Sequence, residues 1–331
     1  MRYLSAAETE RLVTWPAAIR CMTEAYAHPT EPAAIPGRLI AGAGTSWIRC
    51  LPAIPAAGRF MGTKQISRTR EGKLVYLITL FDKASGELAW MMDAIAVTAL
   101  RTSATSIAAL TLLRPGGPID LAILGAGLEA KHHLDALAAT RSIRSLRVFS
   151  PTPANRERFA AEAHSKYGIR SEAVAAPERA VEEASHVIAA ARSRGEQPIV
   201  HGPWLAPGAL LISIGSTIPI QREIDVSVVT RASLIVADVV DEVCHDTGDM
   251  IAVRDAGIPF AAKMHSLQDL AQGHIPPERC NDGGVHLFKS VGSALQDIAL
   301  AELIVERAIE SGLGRELGIS LEVKQSIGKK G

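Results

Sequence analysis

Apolar residues return at helical spacing from Ala6 to Ala27 and from Ala94 to Leu113, and the texture between these segments is different. A Pro/Gly-rich stretch runs from Pro29 to Gly44. The runs Ser46 to Leu51, Gly62 to Ser67 and Leu74 to Phe81 then predict strands, and Lys83-Ala84-Ser85-Gly86 predicts a hairpin turn into Glu87 to Met91. Asp93 is placed to cap the helix Ala94 to Leu113, which Arg114-Pro115-Gly116-Gly117-Pro118 stops. That cluster is the best boundary in the chain.

Beyond it, short apolar runs alternate with helical patterns. Ile119 to Leu124, Leu146 to Ser150, His186 to Ala190, Leu210 to Ile214 and Leu234 to Ala237 predict strands, with helices over Ala154 to Tyr167 and Pro177 to Ala184. Such alternation implies right-handed βαβ crossovers and a parallel sheet. The last helix, about Ser290 to Ser311, is apolar enough to return to the first lobe. The expected fold class is α/β: a mixed α+β lobe over 1–114, a Rossmann-type parallel-sheet domain over 115–300, and a returning C-terminal segment over 301–331.

Composition narrows the partners. The 331 residues are 47% hydrophobic and 21% charged, with zero net charge and no basic run longer than Lys329-Lys330. Neither nucleic acid nor an anionic membrane surface is indicated, so a small molecule is the expected partner. Cys21, Cys50, Cys244 and Cys280 are widely scattered, which argues against a disulfide framework or a zinc site. Acidic residues interrupt the N-terminus where a signal peptide would be apolar, and no apolar stretch is expected to reach transmembrane length. A cytoplasmic setting is expected.

The first strand after the boundary runs into Gly125-Ala126-Gly127-Leu128-Glu129-Ala130, a G-x-G-x-x-A turn. The first glycine permits the tight turn, the second lets backbone approach a pyrophosphate, and the alanine permits close helix–strand packing. The helix behind it offers free N–H groups to phosphate. Dinucleotide binding is therefore expected. The second strand ends in Ser150-Pro151-Thr152 without the acid that binds the ribose of NAD, while Ser150, Thr152 and Arg156 or Arg158 can meet a 2′-phosphate. NADP(H) is favoured and NAD(H) remains open.

Several motifs, taken in order, resemble the ornithine cyclodeaminase/mu-crystallin family. They are Leu80-Phe81-Asp82, Ala99-Leu100-Arg101-Thr102-Ser103-Ala104, the glycine turn, Gly215-Ser216 with Pro219 and Arg222-Glu223-Ile224-Asp225, and Phe288-Lys289-Ser290-Val291-Gly292 with Gln296-Asp297. The resemblance spans essentially the whole chain. It implies a homodimer, a substrate-carboxylate site of Arg38, Lys64 and Arg101, and cofactor contacts from Thr102, Gly125 to Leu128, Ser150, Ala190, Ile214, Gly215, Ser216 and the Lys289 to Gly292 segment. Arg101 points the same way on its own, because a guanidinium within the apolar stretch Ala94 to Leu110 needs an anion, from substrate or from the protein.

One position departs from the family pattern. Ornithine cyclodeaminases carry an aspartate two residues before the proline of this segment, and Thr217 stands there in this sequence. Threonine cannot serve as a carboxylate base, so reduction of an imine beside a carboxylate is expected, reversible as an amino-acid dehydrogenation, with water or Thr217 completing proton transfer. Three alternatives stand beside it: a true cyclodeaminase with tightly held NAD, a non-catalytic NADPH-binding protein, and a reductase of ordinary ketones. His132-His133 is not expected to ligate metal, and His245 is a weaker candidate for reaching substrate than for loop capping.

Overall fold

The structure is a computed structural model that describes residues 1–191, 195–319 and 321–322. Positions 320 and 323–331, which include Lys329-Lys330 and the end of the expected 301–331 segment, lie outside the described residues. The first elements are β1 (Arg2–Leu4), α1 (Ala6–Leu12), α2 (Trp15–Ala27), β2 (Leu39–Ala43), β3 (Ser46–Ala53), β4 (Phe60–Arg68), β5 (Leu74–Asp82), β6 (Leu88–Asp93) and α3 (Ile95–Leu113). Then come β7 (Ile119–Leu124), α4 (Leu128–Ala138), β8 (Ile143–Phe149), α5 (Pro153–Tyr167), β9 (Arg170–Ala173), α6 (Pro177–Val181), β10 (His186–Ala189) and β11 (Leu210–Ser213). The chain continues through α7 (Val226–Arg231), β12 (Ala232–Ala237), α8 (Val240–Asp246), α9 (Gly248–Asp255), β13 (Met264–Ser266), α10 (Leu267–Ala271), α11 (Pro277–Cys280), β14 (Val285–Lys289), α12 (Ala294–Glu310) and β15 (Arg315–Glu316).

These elements form two compact units. One comprises Met1–Thr14, Pro29–Arg101 and Ala294–Gly331, the other Trp15–His28 and Thr102–Ser293. The divisions thus fall at 101/102 and 293/294 rather than at 114/115 and 300/301. The Pro/Gly cluster ends a helix, α3, whose last turns, with Ile107, Leu110 and Leu113 fully buried, belong to the second unit. The expected single helix Ala6 to Ala27 is two helices, because Val13 is extended (φ −129°, ψ 129°). Pro16 has no N–H to continue a helical ladder, and it sits in the first turn of a new helix instead.

In the first unit the described strands lie in the order β15-β1-β6-β5-β4-β3-β2, antiparallel from β6 to β2 with β1 parallel to β6. The predicted hairpin joins β5 to β6: Asp82 Oδ1 accepts from the amides of Ala84 (2.9 Å) and Ser85 (3.0 Å), and Gly86 supplies the positive φ of 74°. Asp93 caps α3 as expected, accepting from Ile95 N at 3.0 Å. β2 lies inside the stretch read as loop, at an exposed edge whose residues carry no buried face to signal a strand.

The second unit holds a wholly parallel sheet ordered β13-β12-β14-β11-β10-β7-β8-β9 among the described residues. Its central strands are buried on both faces, which is why they read as continuous apolar runs. The order reverses between β7 and β10, the switch point at which ligands meet the carboxyl ends of such sheets. Helix α3 is long and apolar enough by length and composition to cross a membrane, against the expectation of none. With 67% of its apolar window buried, it is a core helix.

Candidate functional site

In the first unit, alternate residues of β4 face inward. Phe60, Gly62, Lys64 and Ile66 are buried, and a Cβ on Gly62 would collide with Thr79 O and press on Ile298 of α12, so glycine lets the helix lie close. Lys64 is 2% exposed and donates from Nζ to Asp297 Oδ1 at 2.8 Å. Arg101 Nε reaches the same oxygen at 3.1 Å, and its Nη1 donates to Gln296 Oε1 at 2.8 Å. Asp297 has 0% exposure, and its Oδ2 has no hydrogen-bond partner among the described residues. Burial pushes the Lys64 ammonium down to about 8, opposed by Asp297 and aided by the positive fields of Arg101 and Arg38. Lys64 and Arg101 therefore meet on one carboxylate, with Arg38 near enough to act on the Lys64 ammonium. Neither Asp297 nor Gln296 had a role in the sequence reading. Their signal was available, since an acid in the first turn of an otherwise apolar helix favours the helix dipole but must still find a cation if it faces inward.

In the second unit the glycine turn joins β7 to α4 at the switch point. Gly125 has φ +123°, and a Cβ there would lie 2.6 Å from Ala190 O at the end of β10. Gly127 is the N-cap of α4 with no side-chain cap and open space around it, which leaves the first-turn amides for a ligand. Leu128, at the first helical position, is 61% exposed. This cradle fits a pyrophosphate. At the end of β8, Ser150 is buried, Thr152 is exposed, and Arg156 Nη1 donates to Ser150 O at 2.9 Å. Arg158 is drawn instead to Asn155 Oδ1 (3.0 Å) and Glu162 (3.8 Å) on its own helix. Thr102, on α3, is partly buried and its carbonyl accepts from Ser106 Oγ at 3.1 Å.

The end of β11 is braced from below. Glu223 Oε2 accepts from Ser213 Oγ (2.6 Å) and Gly215 N (2.8 Å), and its Oε1 from Ala191 N (3.2 Å), so one carboxylate fixes the backbone beyond both β10 and β11. Burial raises Glu223 to about 7, against the pull of Lys289. Ile214 N donates to Ala189 O at 3.2 Å and Ser216 Oγ donates to Gln221 O at 2.5 Å. The Thr217 amide donates to Gln221 Oε1 at 3.1 Å, and its hydroxyl lies 3.4 Å from the same atom.

Within the expected Lys289 to Gly292 cofactor segment, the Lys289 side chain is turned inward. Lys289 is fully buried, with Nζ 2.9 Å from Asp249 Oδ2 and 2.9 Å from Ser213 Oγ, and it donates to Ser216 O at 3.2 Å. It is an internal strut, because β14, a strand the sequence reading did not recognise, inserts between β11 and β12. The following residues are also engaged: Asp238 accepts from Ser290 Oγ (2.7 Å), Val291 N (3.0 Å) and Gly292 N (2.8 Å). His133 is fully buried against Ser103, Ser106 and Glu129 O, and burial drives it down to about 4, a neutral structural imidazole. His245 is exposed and turned to Asp241 within its own helix, at 2.9 Å from the carbonyl and 3.0 Å from Oδ1.

Fold and turn together define a Rossmann-type α/β protein with a second, mixed-sheet unit. The sequence pattern of the ornithine cyclodeaminase/mu-crystallin family matches residues 41–312, and the chain belongs to that family. It is 30% identical over 262 residues to ketimine reductase mu-crystallin of Mus musculus, covering 77% of this chain and 79% of that protein. It is 26% identical over 274 residues to a Delta(1)-pyrroline-2-carboxylate reductase of Bacillus cereus, covering 81% and 83%. The solved Thermococcus litoralis Delta(1)-pyrroline-2-carboxylate reductase, in complex with NADH and L-proline, superposes with a TM-score of 0.85 at 27% identity, over 96% of this chain and 100% of that one.

Proposed function

We propose that the protein is an NAD(P)-dependent oxidoreductase that reduces the C=N bond of an imine next to a carboxylate, giving an L-amino acid or a cyclic imino acid. The observation that carries this reading is the meeting of Lys64 and Arg101 on the single carboxylate of Asp297, with Arg38 acting on Lys64. Two buried cations on one carboxylate leave positive charge that a substrate carboxylate neutralises. Named relatives that reduce ketimines and pyrroline-2-carboxylate support the same reading.

The nicotinamide dinucleotide, when bound, supplies the hydride. Gly125 to Leu128 and the α4 amides would hold its pyrophosphate, and Ser150, Thr152 and Arg156 its adenosine ribose. With no acid at the end of β8 and the Arg156 guanidinium beside Ser150, NADPH is preferred over NADH. Glu223 and Lys289 act indirectly, fixing the backbone at Ala191, Gly215 and Ser216 so that less is left to order there on binding. Arg38, Lys64 and Arg101 bind and orient the substrate carboxylate, and most of the acceleration comes from that positioning. Thr217 offers no carboxylate to an amino group, so cyclodeamination is disfavoured. The same reading carries a cytoplasmic homodimer. Leu39 and Ile40 on the β2 edge, with Ile48, Leu74 and Val75, expose the apolar surface a second copy would cover.

The test is a panel of cyclic imines, and of 2-oxo acids with ammonia or methylamine, assayed with both cofactors. Turnover should require a carboxylate beside the C=N bond and should be faster with NADPH, while L-ornithine with catalytic NAD yields no proline. Reduction of plain ketones alone, or proline from ornithine, overturns the reading.

A further inference from the structure

We propose, resting on the imine-reductase reading above, that Gln296 is a positioning residue. It aims Arg101 so that the end of the guanidinium, not its side, meets the substrate carboxylate, and being neutral it leaves the guanidinium its charge.

A guanidinium presents its N–H donors in one rigid plane, and its neighbours decide which edge a ligand can use. Arg101 lies on α3 with its side chain 10% exposed, and two adjacent residues of α12 hold it. Nε donates to Asp297 Oδ1 at 3.1 Å and Nη1 to Gln296 Oε1 at 2.8 Å. The Nε hydrogen is thereby taken, which closes the side edge formed by Nε and Nη2 to a second carboxylate. Nη1 has one hydrogen on Gln296 and one left, and among the described residues Nη2 donates to none. The open edge is therefore the end, Nη1 with Nη2, two parallel donors that match the two oxygens of a carboxylate. A bond at Nε alone would let the plane turn about it, and the second bond at Nη1 fixes the plane.

Position 296 also sets the charge of the cluster. Lys64 and Arg101 share Asp297, so two cations and one acid sum to +1, and a substrate carboxylate brings this to zero. Glutamine and glutamate have the same length, and both present an acceptor oxygen to Nη1. Only the amide keeps the surplus, since a second acid would cancel it before any ligand arrives. Gln296 and Asp297 are fully buried, so solvent screens neither. The two residues thus divide the work: the acid gathers the cations and the amide aims one of them.

Two substitutions, a double-mutant cycle and a resonance measurement test this. Gln296→Met keeps the length but loses the acceptor, so KM for the best imino-acid substrate should rise about tenfold at unchanged dinucleotide affinity. Gln296→Glu should raise KM further, about a hundredfold, because the substrate carboxylate then meets a neutral cluster. In an Arg101→Ala background Gln296→Met should change kcat/KM by no more than about twofold, since no guanidinium is left to aim. In the ligand-free wild type the Arg101 Nη resonances should be resolved by restricted rotation, and they should merge in Gln296→Met, a readout that needs no substrate. Should Gln296→Glu not fold, Gln296→Met, the cycle and the resonances still decide. Equal losses in both backgrounds, near-normal KM in Gln296→Glu, or merged Nη resonances in the wild type overturn the proposal and leave the imine-reductase reading intact. A wild type that reduces no imine with either cofactor, while the Nη resonances behave as stated, removes that reading instead.

Discussion

Lys64 and Lys289 are both at most 2% exposed and both lie 2.8–2.9 Å from an aspartate, yet their surroundings differ in charge. Lys289 has Asp249, Ser213 and the Ser216 carbonyl, and Asp249 in turn takes the amides of Glu223 (2.8 Å) and Ile224 (3.1 Å). Lys64 shares one oxygen of Asp297 with Arg101, while the other oxygen stays unbonded among the described residues. Around Lys289 two cations, Lys289 and Arg222, face two acids, Asp249 and Glu223, whereas Lys64 and Arg101 share one oxygen of Asp297. A cluster with surplus positive charge is the one a ligand anion completes. Motif resemblance ranks the two lysines alike as site residues, and the charges around each separate them.

That comparison predicts that damage to the two clusters appears in different measurements. Lys289→Met should cost about 3–5 kcal/mol of stability by leaving the buried Asp249 with only Arg222, at 3.7 Å, for a cation, read as a lower urea midpoint. A loss of turnover at unchanged midpoint would instead make Lys289 part of the site. Arg101→Ala should lose roughly 3 kcal/mol in kcat/KM, about a hundredfold or more, with dinucleotide affinity by fluorescence titration unchanged. Arg101→Lys should also lose activity, because ammonium lacks the planar fork that meets a carboxylate. Near-normal turnover in Arg101→Ala would reduce that cluster to scaffold too.

Smaller effects sharpen the second unit. Ser150→Asp places a negative charge beside Arg156 and should shift the NADPH/NADH ratio of kcat/KM toward NADH by about tenfold, or 1.4 kcal/mol. Equal use of both cofactors by the wild type would mean that Arg156 serves only the Ser150 carbonyl. The smallest effect concerns Glu223, which burial raises from the ordinary 4.5 to about 7. An acid raised on folding contributes stability fully present below about 4.5 and lost as pH rises through about 7. Glu223→Gln lacks this titration, so the stability of the wild type relative to the variant should decline between pH 4.5 and 7, measured by urea unfolding at several pH values. A flat difference would show that the carboxylate stays ionised throughout.

Much of this protein was legible in its sequence because the deciding physics is local. Period and punctuation gave β7 residue for residue, the Asp93 cap, the Lys83 to Gly86 turn and the glycine turn, since a glycine at φ +123° and an uncapped helix N-terminus follow from a short motif. Pro16 splitting the first helix was readable by the same rule and went unread. Burial and partnership belong to the tertiary structure. Val285–Lys289 carries no alternation to mark it as a strand, and only its insertion between β11 and β12 turns Lys289 inward against Asp249. Residues 64, 101 and 297 are far apart in the chain, and nothing in their spacing says that two cations share one aspartate. That follows from β4 packing on α12 within the first unit and from Arg101 reaching the same carboxylate, where desolvation makes every unpaired charge costly and so determines which side chains must meet.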